Sequence, residues 1–155
     1  MKIIVVSDSH RYVETLEKIL LKHSDSDVFI HLGDGERDWD SIKPRLSPGI
    51  FHTVRGNCDG LSTSELTGFI KAEGHGIVFT HGHAYNVKSS DRMFRAYARS
   101  AGAKIALYGH THRPVSQYSG GLYVMNPGSV ADGGCYGIIR LNGGEISCEL
   151  LKEQR

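Results

Sequence analysis

Five short apolar runs in this chain each stop at side chains able to bind a metal. The stops read Asp8-Ser9-His10, Gly33-Asp34, Gly56-Asn57, His81-Gly82-His83 and Gly109-His110-Thr111-His112. A strand reads as a short run of β-branched and aromatic residues ending in turn signals. Ile3 to Val6, Val28 to Leu32, Ile50 to Val54, Ile77 to Thr80 and Ile105 to Tyr108 all have that form. In an open α/β sheet, ligands gather beyond the carboxyl ends of the strands. Five such ends predict one shared crevice.

The rest of the chain fills in around those runs. Val13, Leu16, Ile19 and Leu20 recur at helical spacing and predict a helix over about Tyr12 to His23. Trp39 to Leu46 is weakly helical and ends near Pro48. Ser90 to Ser100 reads as a helix with Gly102 just past its end. Glu65 to Ala72 with Ile77 to Thr80 reads as a hairpin across Glu73-Gly74. Val115 to Tyr118 with Leu122 to Met125, and Tyr136 to Leu141 with Glu145 to Leu150, read as two more hairpins. Lys152 to Arg155 is expected to fray. The pattern predicts an α/β chain of a single domain over 1–155, with two sheets and helices outside them.

Bulk composition removes several function classes. Lys plus Arg number 18 and Asp plus Glu 17, so no net field favours a polyanion, and nucleic acid is not the expected partner. The Ile3 to Val6 run is too short for a signal-peptide core, and no segment approaches a membrane span. Three scattered cysteines, Cys58, Cys135 and Cys148, make neither a disulfide framework nor a zinc knuckle. A reduced, cytoplasmic setting is expected.

The candidate ligands are nitrogen and oxygen donors only. Imidazole with carboxylate suits Mn, Fe, Co, Ni or Zn, and argues against a thiolate site. Asp8, His10, Asp34, Asn57, His81, His110 and His112 are too many for one tetrahedral zinc. They suit two divalent ions sharing a carboxylate, the usual clamp for in-line displacement at phosphorus. Gly33, Gly56 and Gly109 are expected to permit sharp turns and close approach of substrate oxygens. His110 and His112 are expected to reach one site from an extended backbone.

In order, these five stops match the signature of the calcineurin-like metallophosphoesterases, which the chain resembles from its first strand to about residue 113. Asn126-Pro127-Gly128-Ser129 extends the likeness toward the small YfcE-like phosphodiesterase branch. The resemblance implies a four-layer fold, a β-sandwich flanked by helices. It implies that Asp8, His10, Asp34 and His112 hold a first metal and Asp34, Asn57, His81 and His110 a second, with Asp34 bridging. Asp34, Asn57 and His81 would bear most directly on catalysis, and a metal-bridging hydroxide would attack phosphorus. Manganese is the expected metal. The implied substrate is a small phosphate ester, more a diester than a monoester, and relatives often pair as homodimers. Rival functions for such a chain are a non-catalytic protein-binding scaffold, as in the retromer subunit of this branch, or a nuclease.

Many relatives carry His after the Gly-Asn pair; this chain has Cys58, as the YfcE-like branch does. A thiol is a poorer acid than an imidazolium near neutral pH, so weak protonation of leaving groups is expected. Arg55 and Arg113 lie beside ligands and are either phosphate contacts or solvated neighbours. His83 either lines the pocket, touching substrate, or orients His81. His31 is expected to be a hydrogen-bonded core residue, and His23, His52 and His75 surface or turn residues. Asn126 and Ser129 are expected to shape a loop opposite the site.

Overall fold

The computed structural model describes residues 1–46 and 48–154. In chain order the elements are β1 (Lys2–Val6), α1 (Val13–Lys22), β2 (Val28–His31), α2 (Glu36–Ile42), β3 (Ile50–Thr53), β4 (Thr67–Ala72), β5 (His75–Thr80), α3 (Arg92–Ser100), β6 (Ile105–Tyr108), β7 (Val115–Ser119), β8 (Leu122–Asn126), β9 (Cys135–Asn142) and β10 (Glu145–Lys152). Short 3-10 turns follow α2 and β5. Helix α2 begins three residues before Trp39, because the Asp59 carboxylate accepts the Gly35 and Glu36 N–H groups and caps its start. Lys152 lies within β10, paired with Cys135, rather than in a frayed end; Arg155 lies outside the described residues.

Ten strands form two five-stranded sheets, ordered β10-β9-β1-β2-β3 and β4-β5-β6-β8-β7. All three expected hairpins are present, and β1, β2 and β3 run parallel. Alternation along β1 explains the layering. Ile3 and Val5 turn inward to meet Ile77, Phe79, Ile105 and Leu107 of the second sheet. Ile4 and Val6 turn outward onto Leu16, Ile19 and Leu20 of α1 and Trp39 of α2. On the far side, Phe94 and Ala98 of α3 cover Val78, Ala106 and Tyr108. The result is the four-layer arrangement: helices, sheet, sheet, helix. Each fully buried Leu or Ile in these layers contributes about 1.5–3 kcal/mol, so the strand ends project from a stiff frame.

A sixth strand joins the five expected. β8 runs parallel to β6 and ends at Asn126. Its loop, Pro127 to Gly134, returns along the same edge as the ligand-bearing loops: Val130 N donates to Ser7 O and Ala131 N to Asp8 O.

Candidate metal centre

All seven predicted ligands meet at this common edge, in two groups. In the inner group, His81 Nε2 lies 3.1 Å from Asn57 Oδ1, 3.1 Å from His110 Nδ1 and 3.3 Å from Asp34 Oδ2. In the outer group, Asp8 Oδ1 lies 3.0 Å from His112 Nε2 and 3.8 Å from His10 Nε2. His10 Nε2 is also 3.9 Å from Asp34 Oδ2, so that oxygen faces both groups. Donors about 2.1 Å from one cation sit about 3–3.4 Å from each other. The three distances from His81 already have that spacing. The outer group is slightly looser.

The donor atoms are aimed by partners behind them. His81 Nδ1–H donates to Leu32 O at 2.8 Å, which leaves the Nε2 lone pair facing the cluster. His112 Nδ1–H donates to Asp132 Oδ2, with the same effect on its Nε2. Asp8 keeps Oδ1 for the cluster because Oδ2 accepts from Ser7 Oγ and from His110 N. Asp34 keeps Oδ2 because Oδ1 accepts from Cys58 N at 2.7 Å. These tautomers follow from the geometry of the bonds.

Electrostatics couple the inner residues. Burial works to raise the Asp34 carboxyl, but His81 and the Cys58 N–H outweigh it and hold that group well below the usual carboxylate range. For His81, burial favours the neutral ring, yet its bond to Asp34 and the charges of Asp8 and Asp34 raise its pKa overall. His110 is pushed down to about 4 by burial, then by the neighbouring His81 charge and Lys88. Cys58 is pushed up to about 11 by burial and by Asp34. Cys58 also forms a ligand-like trio with His10 and Asp34, but a thiol held protonated is a poor donor to a metal.

The backbone reaches this arrangement under strain. Asp8, His10, Asp34, His110 and His112 all have left-handed φ, between 42° and 66°. Such a conformation costs a non-glycine residue about 1–2 kcal/mol. The extended backbone expected at His110 and His112 is therefore not found. The chain turns left-handed at both, which sends His110 to the inner group and His112 to the outer. The glycines have a further role. A Cβ on Gly56 would lie 2.0 Å from Asp34 Oδ1, and one on Gly109 2.0 Å from Ser7 Oγ. Their bareness lets ligand-bearing loops close on each other.

The remaining predicted positions divide. His83 sits beside the inner group, its ring centroid 5.5 Å from His81 and 6.1 Å from His110, with Nδ1 buried and unpartnered. It does not orient His81, whose two nitrogens face Leu32 O and the cluster. Burial, then the His81 charge, lowers its pKa. Arg55 is exposed, near enough for its charge to be felt at His83. Arg113 is exposed, and its side chain has no contact with the cluster among the described residues. Asn126 and Ser129 are not opposite the site but under it. Asn126 Nδ2 donates to Gly109 O and Thr111 Oγ1, and Ser129 Oγ donates to Asp8 O.

Sequence reasoning missed Asp132 and the role of Asp59. Asp59 accepts N–H bonds from Asp34, Gly35, Glu36 and Gly56, tying two ligand loops together. Its place two residues after Asn57 was the available signal. Asp132 precedes Gly133-Gly134 and has the look of an ordinary turn residue.

The sequence profile of the calcineurin-like phosphoesterase superfamily domain matches residues 1–142. The chain belongs to the calcineurin-like phosphoesterase superfamily. This superfamily is metal-dependent, and the two groups are its candidate ligands here. The chain is 32% identical over 131 residues to the probable metallophosphoesterase YsnB of Bacillus subtilis, covering 84% of this chain and 75% of that protein. It is 27% identical over 155 residues to phosphodiesterase YfcE of Escherichia coli, covering 84% and 80%. The crystal structure of a predicted phosphoesterase from Streptococcus pneumoniae superposes with a TM-score of 0.85 at 25% identity, over 97% of this chain and 88% of that one. This member of the superfamily shares its two-sheet frame with the Streptococcus pneumoniae protein. No helix among its described residues is long and apolar enough to cross a membrane.

Proposed function

We propose that the chain is a phosphodiesterase that works with two divalent cations, manganese first among them. One observation carries this reading: seven nitrogen and oxygen donors converge, with Asp34 Oδ2 facing both the inner and the outer group. Asp8, His10, Asp34 and His112 would hold one ion, and Asp34, Asn57, His81 and His110 the other. Ions bound there supply Lewis acidity, which acidifies water and offsets charge on phosphoryl oxygens.

The chain's own residues set the terms of that chemistry. Asp34 fixes the separation of the two halves. Asn57 adds a donor without adding negative charge toward an anionic ester. Leu32 O and Asp132 hold His81 and His112 in the tautomers that ligate. His83, packed beside His81 and His110, shapes the edge of the inner group with its ring. Cys58, protonated beside Asp34, assists a leaving group poorly, so diesters with acidic alcohols are favoured. A scaffold needs no such convergence of strained ligands, which weighs against that rival. The near-zero net charge weighs against a nuclease.

Chelator-stripped protein, reloaded with Mn, should hydrolyse bis-(p-nitrophenyl) phosphate and bind two ions per chain. Two bound ions with no hydrolysis of any diester would support the scaffold. Failure to bind metal at all would overturn the site.

A further inference from the structure

Beside the outer group lies a cleft of about 550 Å³. It is lined by His10, Asp34 and Cys58 of the candidate centre together with Arg11, Arg37 and Leu61. Its carboxylates are all engaged. Glu36 accepts from Ser64 Oγ, Asp38 from Ser9 Oγ and Arg11 N, Asp40 pairs with Lys43, and Asp59 accepts four backbone N–H groups. Its two guanidinium groups are not. Neither Arg11 nor Arg37 has a side-chain hydrogen bond or ion pair among the described residues, whereas Arg45 and Arg95 both pair with acids.

Arg11 is unusual in a second way. Its φ is 72°, a conformation in which glycine would be cheaper, and its N–H is fixed on Asp38 Oδ2 at 2.8 Å. A strained backbone that presents a long, free, cationic side chain toward a cleft points to use of that side chain.

We propose that this cleft holds a second anionic group of the substrate against Arg11 and Arg37. The substrate is then a small phosphodiester with a carboxylate or further phosphate on one arm, beyond the scissile group. A guanidinium recognises either anion through paired N–H donors. Leu61, 86% exposed at the rim, offers apolar surface to the carbon chain between the two anions. This rests on the phosphodiesterase reading, since the first anion must sit at the metal centre.

Calorimetry on Mn-loaded protein tests it with ω-carboxyalkyl phosphonates of graded length against alkyl phosphonates of equal length. In the best-matched pair the carboxylate should tighten binding by about tenfold, the worth of a charged hydrogen bond. Arg37→Ala should shrink that ratio, and Arg11→Gly, which also relieves the backbone, should do the same. The double variant should bring it near unity. Equal binding in the unaltered protein, or a ratio that survives in the double variant, overturns the proposal. Tighter binding of 2-aminoethylphosphonate than of ethylphosphonate also overturns it, because the cleft acids would then dominate. If neither phosphonate class binds, the cleft proposal falls. Mn-dependent hydrolysis of bis-(p-nitrophenyl) phosphate, which has no second anion, separately shows whether the phosphodiesterase reading stands.

Discussion

The two halves of the candidate metal centre are held by different means. In the inner half, His81 is fully buried and its Nδ1 is fixed on a main-chain carbonyl, Leu32 O. In the outer half, His112 is 33% exposed and its Nδ1 is fixed on Asp132, a side chain itself 61% exposed. A main-chain brace comes with the fold and cannot be mutated away. A side-chain brace on the surface can be removed without disturbing the core. The contrast suggests an inner half that is rigid and slow to exchange, and an outer half that is adjustable and open to solvent. The arginine-lined cleft opens from that outer side.

Asp34 is where the two halves join, so its loss should have the largest effect. Asp34→Asn should reduce Mn-dependent diester hydrolysis by about a thousandfold or more, on the scale of losing a direct transition-state contact. Metal content should fall from two ions to one or none. Two tightly bound ions in this variant would remove Asp34 from its joining role.

The rigidity of the inner half has a pH signature. His31 is fully buried in the strand before Gly33 and Asp34. Its Nδ1 accepts from Gly33 N, and its other nitrogen faces Ser9 Oγ, which donates to Asp38. Burial holds it neutral, its pKa moved from 6.5 to about 4. Between those values the unfolded chain takes up a proton that the folded chain refuses. Stability from this group is therefore full above about pH 6.5 and falls as pH drops toward 4, by about 3 kcal/mol in all. Urea titrations at several pH values read this directly. His31→Asn keeps an acceptor for Gly33 N and should start less stable but lose less across the window. An unchanged slope in that variant would assign the acid sensitivity elsewhere.

The adjustable half should respond more gently. Asp132→Asn removes a carboxylate behind a ligand, a change worth about 10–100-fold in metal affinity. The exposure of Asp132 places the expected loss near tenfold, confined to the weaker of the two ions in a Mn titration. Equal weakening of both ions would mean that the halves are not separately braced.

The same contrast explains what was legible in the sequence. The seven candidate ligands were readable because they cluster just past the ends of five strands, four of them buried, and strand ends are marked by a change from β-branched to turn residues. Two sheets with helices outside were readable from the order of strands, helices and hairpins, and the four-layer arrangement followed from the family resemblance. Sheet order was not, since nothing local says that β9 inserts beside β1 or that β8 runs parallel to β6. The braces were not readable either. Asp132, Asp59 and Asn126 act across long chain separations, and each looks by itself like a turn residue. The left-handed backbone at five candidate ligands was hidden because Asp and His, though more tolerant of it than most residues, adopt it too seldom for their presence to mark it.

Cys58 offers the smallest and finest test, because it touches both halves through Asp34. Its N–H holds Asp34 Oδ1, while its thiol, pushed up to about 11, keeps its proton at neutral pH. A thiol so weakly acidic gives little help to an alkoxide leaving group, and an aryl oxide needs little help. Cys58→His keeps the N–H and introduces an imidazole that can be protonated near neutral pH. Relative to the parent chain, its rate on an alkyl phosphodiester should rise severalfold against its rate on an aryl one, within the lower end of the roughly 10²–10⁴-fold range of general acid catalysis. The gain should fade as pH rises past the imidazole's pKa. Cys58→Ser, which has no such acid, should show no relative gain. If Cys58→His shifts both substrates equally, the side chain at 58 does not reach the leaving group, and the acid preference of this centre must come from the metals alone.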